Sequence, residues 1–205
     1  MKKQILLTIG LAMLATSAAQ GSQEQLSQSI RDAHNEAIRT SEQLKSTLSA
    51  LNALTAQKKG DLRPAYNTFG AEIPKTQSAA DSTRTRVQWM AGDGRQYFQG
   101  WQATINSIAN PSLQKKAQKR LDGVKVSYDK VEASLRKASE KFAPFLSDLV
   151  DIQKTLATDV TPGGVKAVRS TVRSANYNHQ FVDQAVNGAL KEMVKMQKAL
   201  SSEVQ

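Results

Sequence analysis

Residues 121–156 read LDGVKVSYDKVEASLRKASEKFAPFLSDLVDIQKTL, and their apolar positions decide the architecture. Leu121, Val124, Tyr128, Val131, Leu135, Ala138, Phe142, Phe145, Leu149, Ile152 and Leu156 recur in alternating steps of three and four. That period gathers them onto one stripe of an α-helix, which must be buried against neighbouring helices. No sustained alternation of the kind a half-buried strand needs interrupts it.

The same period extends to either side. It runs from Leu26 to Leu54, from Leu62 to Ile108, and again from Val165 to Leu200. Lys58-Lys59-Gly60 places cations and a glycine where a helix would end, and Asp61 with Pro64 opens the next. Asn110-Pro111 and Thr161-Pro162 each pair a capping side chain with proline at the first helical position. Helices are therefore predicted over residues 22–59, 62–109, 111–158 and 162–203. Short connections force them to run up and down. The predicted fold is all-α, an elongated antiparallel four-helix bundle of coiled-coil character in a single domain from residue 20 to 205. The first helix is shorter than the second and third, so the central hairpin is expected to protrude. Pro74 and Pro144 fall inside stripes at nearly one level, where each should kink or break its helix.

Before the first stripe, Lys2 and Lys3 precede an apolar run from Ile5 to Leu14 and the small residues Ala15 to Ala19. This is the layout of a secretory signal peptide. The run is about half the roughly 20 residues a membrane span requires. Cleavage near Ala19 and a periplasmic or secreted location are expected. The chain has no cysteine, which excludes disulfides, thiolate metal sites and lipidation on cysteine. Its net charge is +10, and loss of Lys2 and Lys3 with the leader leaves +8. Such a charge favours anionic partners: lipid headgroups, envelope polysaccharide or another envelope protein. Nucleic acid is not expected for an exported chain.

Residues capable of catalysis or metal binding do not assemble in the sequence. His34 has Asp32 and Glu36 only two positions away, on other faces of the helix. His179 lies on the fourth apolar stripe, roughly opposite Phe142, and reads as a packed histidine. Serines lack a recognisable base and orienting acid. Gly92-Asp93-Gly94 has no preceding strand or phosphate-binding lysine, and reads as a helix irregularity or a place where another helix comes close. No enzyme activity, metal or cofactor is expected.

One constellation stands out at the tip of the central hairpin. Between Arg95 and Lys125 six Lys or Arg face a single acid, Asp122. Trp101 is on one arm, with Phe98, Ile105 and Ile108; Lys115, Lys116, Lys119 and Arg120 are on the other, with Leu113. The cations would attract headgroups or polysaccharide and Trp101 would insert or stack. The alternative is that the aromatics pack between the arms and the lysines are a solvated face.

Several landmarks together resemble an uncharacterised bacterial envelope family, domain of unknown function 2959. They are Gly60-Asp61-Leu62 with Tyr66-Asn67, Phe98-Gln99-Gly100-Trp101, Ser112-Leu113, Arg120-Leu121, Tyr128, and Leu135-Arg136-Lys137-Ala138 leading to Pro144 and Leu146. The resemblance implies an exported, largely helical protein and brings no catalytic residues. It departs from the family in lacking a lipoprotein cysteine and in its Gln-rich stretch from Gly21 to Gln28. The expected function is that of a non-enzymatic structural or scaffolding protein, associated with the envelope through basic surfaces. The alternative is a periplasmic holding chaperone for unfolded clients.

Overall fold

The computed structural model describes residues 2–201, with side chains from Gly21 onward. Four helices follow one another: α1 (Lys2–Ala56), α2 (Arg63–Asn106), α3 (Pro111–Thr158) and α4 (Pro162–Ser201). No strand occurs among the described residues. The helical bundle read from the stripes is the fold. The expected end of the fourth helix beyond Ser201, and the side chains of the predicted leader, lie outside the described residues.

The helix ends follow the capping chemistry. Asn110 Oδ1 accepts hydrogen bonds from the Ser112 and Leu113 amides at 3.0 and 3.2 Å. Thr161 Oγ1 does the same for Gly163 and Gly164 at 3.2 and 3.3 Å. Each satisfies amides that a helix start leaves without carbonyl partners. Gly60 has a φ of +89°, the left-handed conformation a side chain disfavours, and it turns the chain between α1 and α2. Asp61 accepts from the Arg63 amide at 3.0 Å and from its guanidinium, which holds the Asp61 carboxyl below its ordinary range.

Three boundaries differ from the sequence reading by more than one residue. The first helix ends at Ala56, where the Gln57 amide reaches back only three residues to Leu54. The second ends at Asn106, because the Ser107 and Ile108 amides likewise tighten to the carbonyls three residues back. The first helix begins at Lys2 instead of residue 22, so the length difference that suggested a protruding hairpin is absent from the uncleaved chain. Pro74 and Pro144 break neither helix, as α2 and α3 run through them. Proline costs a helix one amide donor, and packing of the surrounding stripe outweighs that loss here.

Contacts gather into two compact units. One comprises His34–Thr85 and Ala133–Lys191. All four helices contribute to it, each beside the next. Thr40 and Thr47 of α1 meet Thr83 and Thr76 of α2 through their hydroxyls at 2.9 and 2.7 Å. Tyr66 of α2 donates to the Gln153 carbonyl of α3, and this pairing sets Pro74 and Pro144 at one level. Asp148 of α3 accepts from Ser174 and Asn178 of α4 at 3.3 and 3.1 Å. Asn52 of α1 and Asn176 of α4 exchange amide hydrogen bonds at 3.0 Å. The centre is apolar: Leu44, Leu51, Phe69, Ile73, Phe145, Leu149, Ile152, Val165 and Val172 belong to one buried cluster.

The hydroxyl pairs are the exception within that centre. Thr47 and Thr76 are both fully buried. Gln43 joins them, donating to Thr47 Oγ1 at 3.2 Å and to Glu72 Oε2 at 2.7 Å. Hydrogen bonds from Lys75 and Gln43 hold the Glu72 carboxyl below its ordinary range. Buried polar groups are tolerable when mutually hydrogen-bonded in this way.

His179 lies half-buried in the same unit, its ring 5.7 Å from that of Phe145, one helical turn past Phe142. The packed reading is therefore the observed one, with the neighbouring phenylalanine as partner. Desolvation and the charge of Lys45 lower the His179 pKa, while Asp183 opposes them.

Candidate functional site

The other unit comprises Met1–Ala33, Arg86–Glu132 and Glu192–Gln205, and it contains the α2–α3 hairpin tip. Gln102 and Gln118 exchange amide hydrogen bonds across the hairpin at 2.9 and 3.3 Å. Gln114 donates to the Ile105 carbonyl at 3.3 Å, one turn nearer the tip. These bonds set Trp101 level with Lys119. Lower down, the Tyr128 hydroxyl donates to the Met90 carbonyl at 3.1 Å. Its phenol is pushed above the ordinary range by burial and then by the charge of Glu132.

That tyrosine explains the glycines. A Cβ placed on Gly94 would come within 2.5 Å of Tyr128 Cζ, well inside van der Waals contact. Gly94 is buried in an unbroken helix, so the Gly92-Asp93-Gly94 run marks a close helix approach and no loop. Gly92 meets only the far end of the Arg95 side chain.

The aromatics of the hairpin form a chain of ring contacts. Trp101 lies 5.5 Å from Tyr97, Tyr97 lies 5.2 Å from Phe98, and Phe98 lies 5.3 Å from Tyr128 on the opposite arm. Tyr97 and Ile105 are buried, whereas Trp101 is only partly so. Lys115, Lys116, Lys119 and Arg120 are all exposed. At 100° per residue they span an arc of about 140° on α3. The structure thus gathers the four cations onto one face and places Trp101 at their level. Phe98 and Ile105 serve the interior of the hairpin, as the packing alternative held.

The α1 contacts show how far that helix covers the hairpin. Gln25 donates to Asp93 Oδ1 at 2.8 Å, and Asp32 lies 3.8 Å from Arg86. Gln23 donates to the Leu200 carbonyl of α4 at 2.7 Å. With α1 and α2 antiparallel and Gln25 opposite Asp93, residues from Gln20 onward reach no further than about the level of Phe98.

The sequence reading passed over some exposed rings. Trp89 is 55% exposed, with the Arg86 guanidinium 4.7 Å from its ring centre. Tyr177 is 60% exposed and packs edge-on against Phe181. The signal was available: each falls off the apolar stripe of its helix. Among the described residues no cluster of His, Asp or Glu could hold a metal, and no helix is long and apolar enough to cross a membrane.

Antiparallel helices locked by interhelical hydrogen bonds and an apolar centre define a cysteine-free helical-bundle protein with a basic, tryptophan-bearing hairpin. The chain belongs to the DUF2959 family, described as protein of unknown function, whose sequence profile matches residues 17–200. No curated protein and no solved structure matches it.

Proposed function

We propose that the protein is exported, carries out no catalysis, and serves as a structural or scaffolding component that attaches to anionic lipid headgroups through the α2–α3 hairpin tip. The observation that carries this reading is the exposed face of Lys115, Lys116, Lys119 and Arg120 at the level of the partly exposed Trp101. The leader-like segment supports the export part of this reading. The Lys2-Lys3 and Ile5–Leu14 segment lies ahead of the family match, which begins at residue 17. A chain cut after Ala19 would keep α1 from Gln20, leaving the hairpin beyond Phe98 without an α1 neighbour. Attraction of cations to the surface and interfacial placement of an aromatic ring then act together.

Vesicle binding tests the reading. Each engaged cation near an anionic membrane contributes about 1 kcal/mol, so replacing all four with glutamine should lower affinity by roughly 10²–10³-fold. Binding by the parent should weaken steeply with salt. Trp101 emission should shift to the blue on binding in a Trp89→Phe background. Equal vesicle binding by parent and quadruple variant would refute the tip as the attachment point. Recovery of intact Met1 from the cytoplasm would refute export.

The holding-chaperone reading draws on the exposed Trp89, Leu113 and Val126. Suppression of client aggregation that persists at high salt, with no vesicle binding, would favour it.

A further inference from the structure

The outward face of α4 between Lys166 and Lys191 carries a second cationic surface, separate from the hairpin tip. Lys166, Arg169, Arg173 and Lys191 are exposed, and their spacing sets them within an arc of about 120° together with Tyr177 and Phe181. No acid occurs from Pro162 to Val182. Among the described residues, Lys166, Arg169 and Arg173 have no ion-pair partner. Two acids that touch this helix are otherwise engaged, and Asp159 lies at its start against Gly163 and Gly164. Asp148 accepts from Ser174 and Asn178, and Asp183 accepts from Asn187 at 3.1 Å with Lys45 at 3.9 Å.

At the centre of this face are two rings. Tyr177 and Phe181 have centroids 4.8 Å apart at 82°, and Lys141 of α3 lies 5.9 Å from the Phe181 ring. The edge-on contact orients Tyr177, which remains 60% exposed. The remaining outward positions are polar, with Gln180 and Gln184 exposed beside the rings. No aliphatic side chain large enough to enter a bilayer accompanies them.

We propose that this face binds an extended anionic polysaccharide. Lys166 and Lys191 are about 37 Å apart along the helix, so the row suits a polymer better than a small anion. The cations meet carboxylate or phosphate groups by charge complementarity, which speeds encounter and fixes orientation. Tyr177 offers an amphipathic ring on which the apolar face of a sugar can stack. Gln180 and Gln184 offer amide donors and acceptors to sugar hydroxyls.

The test uses the full-length protein with four probes: polygalacturonate, inorganic polyphosphate, dextran, and phosphatidylglycerol vesicles. Polygalacturonate should bind and dextran should not. Lys166→Gln/Arg169→Gln/Arg173→Gln should weaken polygalacturonate binding at least tenfold with helicity retained, and Arg169→Gln alone should weaken it by a smaller factor. Tyr177→Ala should weaken polygalacturonate binding severalfold while leaving polyphosphate, which has charge but no sugar ring, unchanged. The glutamine variant of the hairpin tip should bind polygalacturonate like the parent, which keeps this result independent of the tip. Full affinity in the triple variant would overturn the proposal. So would equal effects of Tyr177→Ala on both polyanions, or a triple variant that loses vesicle binding alone.

Discussion

Replacing Gly94 with alanine tests the closest helix approach in the hairpin. The added methyl would lie 2.5 Å from Tyr128 Cζ and 3.0 Å from Cε2, so ring or helix must move. Overpacking of this kind costs about 1–3 kcal/mol. Displacing the ring also threatens the Tyr128–Met90 hydrogen bond, whose net contribution is about 1 kcal/mol. Against these, alanine gains about 1 kcal/mol over glycine in a helix interior. The net expectation is a loss of about 1–3 kcal/mol. For a chain of this size that lowers Tm by roughly 2–12 °C. Urea denaturation followed by circular dichroism measures it. Gly100→Ala and Gly123→Ala provide the control, since a Cβ at either meets nothing within 4 Å and only the helix gain applies. Those two should stabilise by up to about 1 kcal/mol. In a Tyr128→Leu background the Gly94→Ala penalty should shrink, as coupled neighbours require. A Gly94→Ala variant as stable as Gly100→Ala would refute the close approach as the reason for glycine.

Two further outcomes concern the unit that holds the threonine pairs. Thr47→Val or Thr76→Val alone should cost about 1 kcal/mol by removing the interhelical hydrogen bond, since the remaining hydroxyl still donates to the carbonyl four residues back, while the double variant should cost less than the sum of the singles; a strictly additive double variant in urea titrations would contradict the pairing. For His179, burial and Lys45 lower the folded pKa beneath the ordinary 6.5, so the unfolded chain binds the proton first. Stability should therefore fall as pH drops from 7 through 6.5 toward the folded pKa, and His179→Gln should remove that slope. The decline attributable to Glu72, whose folded pKa is lowered, belongs below pH 4.5 and should persist in the variant. An unchanged slope near pH 6 would mean that another group carries it.

The bundle was legible because its core is periodic. Of the α3 stripe, Leu121, Val124, Tyr128, Val131, Leu135, Phe145, Leu149, Ile152 and Leu156 are buried, and helix starts at Asn110-Pro111 and Thr161-Pro162 need only local chemistry. The α1–α2 contact was less legible because its buried positions are hydroxylic. Thr40 and Thr76 fill seven-residue gaps between Ala37 and Leu44 and between Ile73 and Ala80. Those gaps, seen with threonine inside them, were the missed signal. At the hairpin, charge and the level of Trp101 could be inferred from spacing. The depth of each ring could not, because it depends on contacts such as Phe98 with Tyr128. Tyr177 and Phe181 escaped notice because a stripe analysis discards what lies off the stripe.

The two threonine pairs sit seven residues apart on both helices, Thr40 with Thr83 and Thr47 with Thr76. Apolar stripes tolerate sliding, since a leucine displaced by one heptad meets another apolar residue. Hydroxyls do not. Shifting α1 by one heptad against α2 would preserve a single hydroxyl meeting and part the other two hydroxyls from their interhelical partners. A shift by one turn would part all four. Thr47 and Thr76 keep their bonds to the Gln43 and Glu72 carbonyls in any register, so each parted pair forfeits about 1 kcal/mol of interhelical hydrogen bonding, and the pairs act as a two-point register key for α1 against α2.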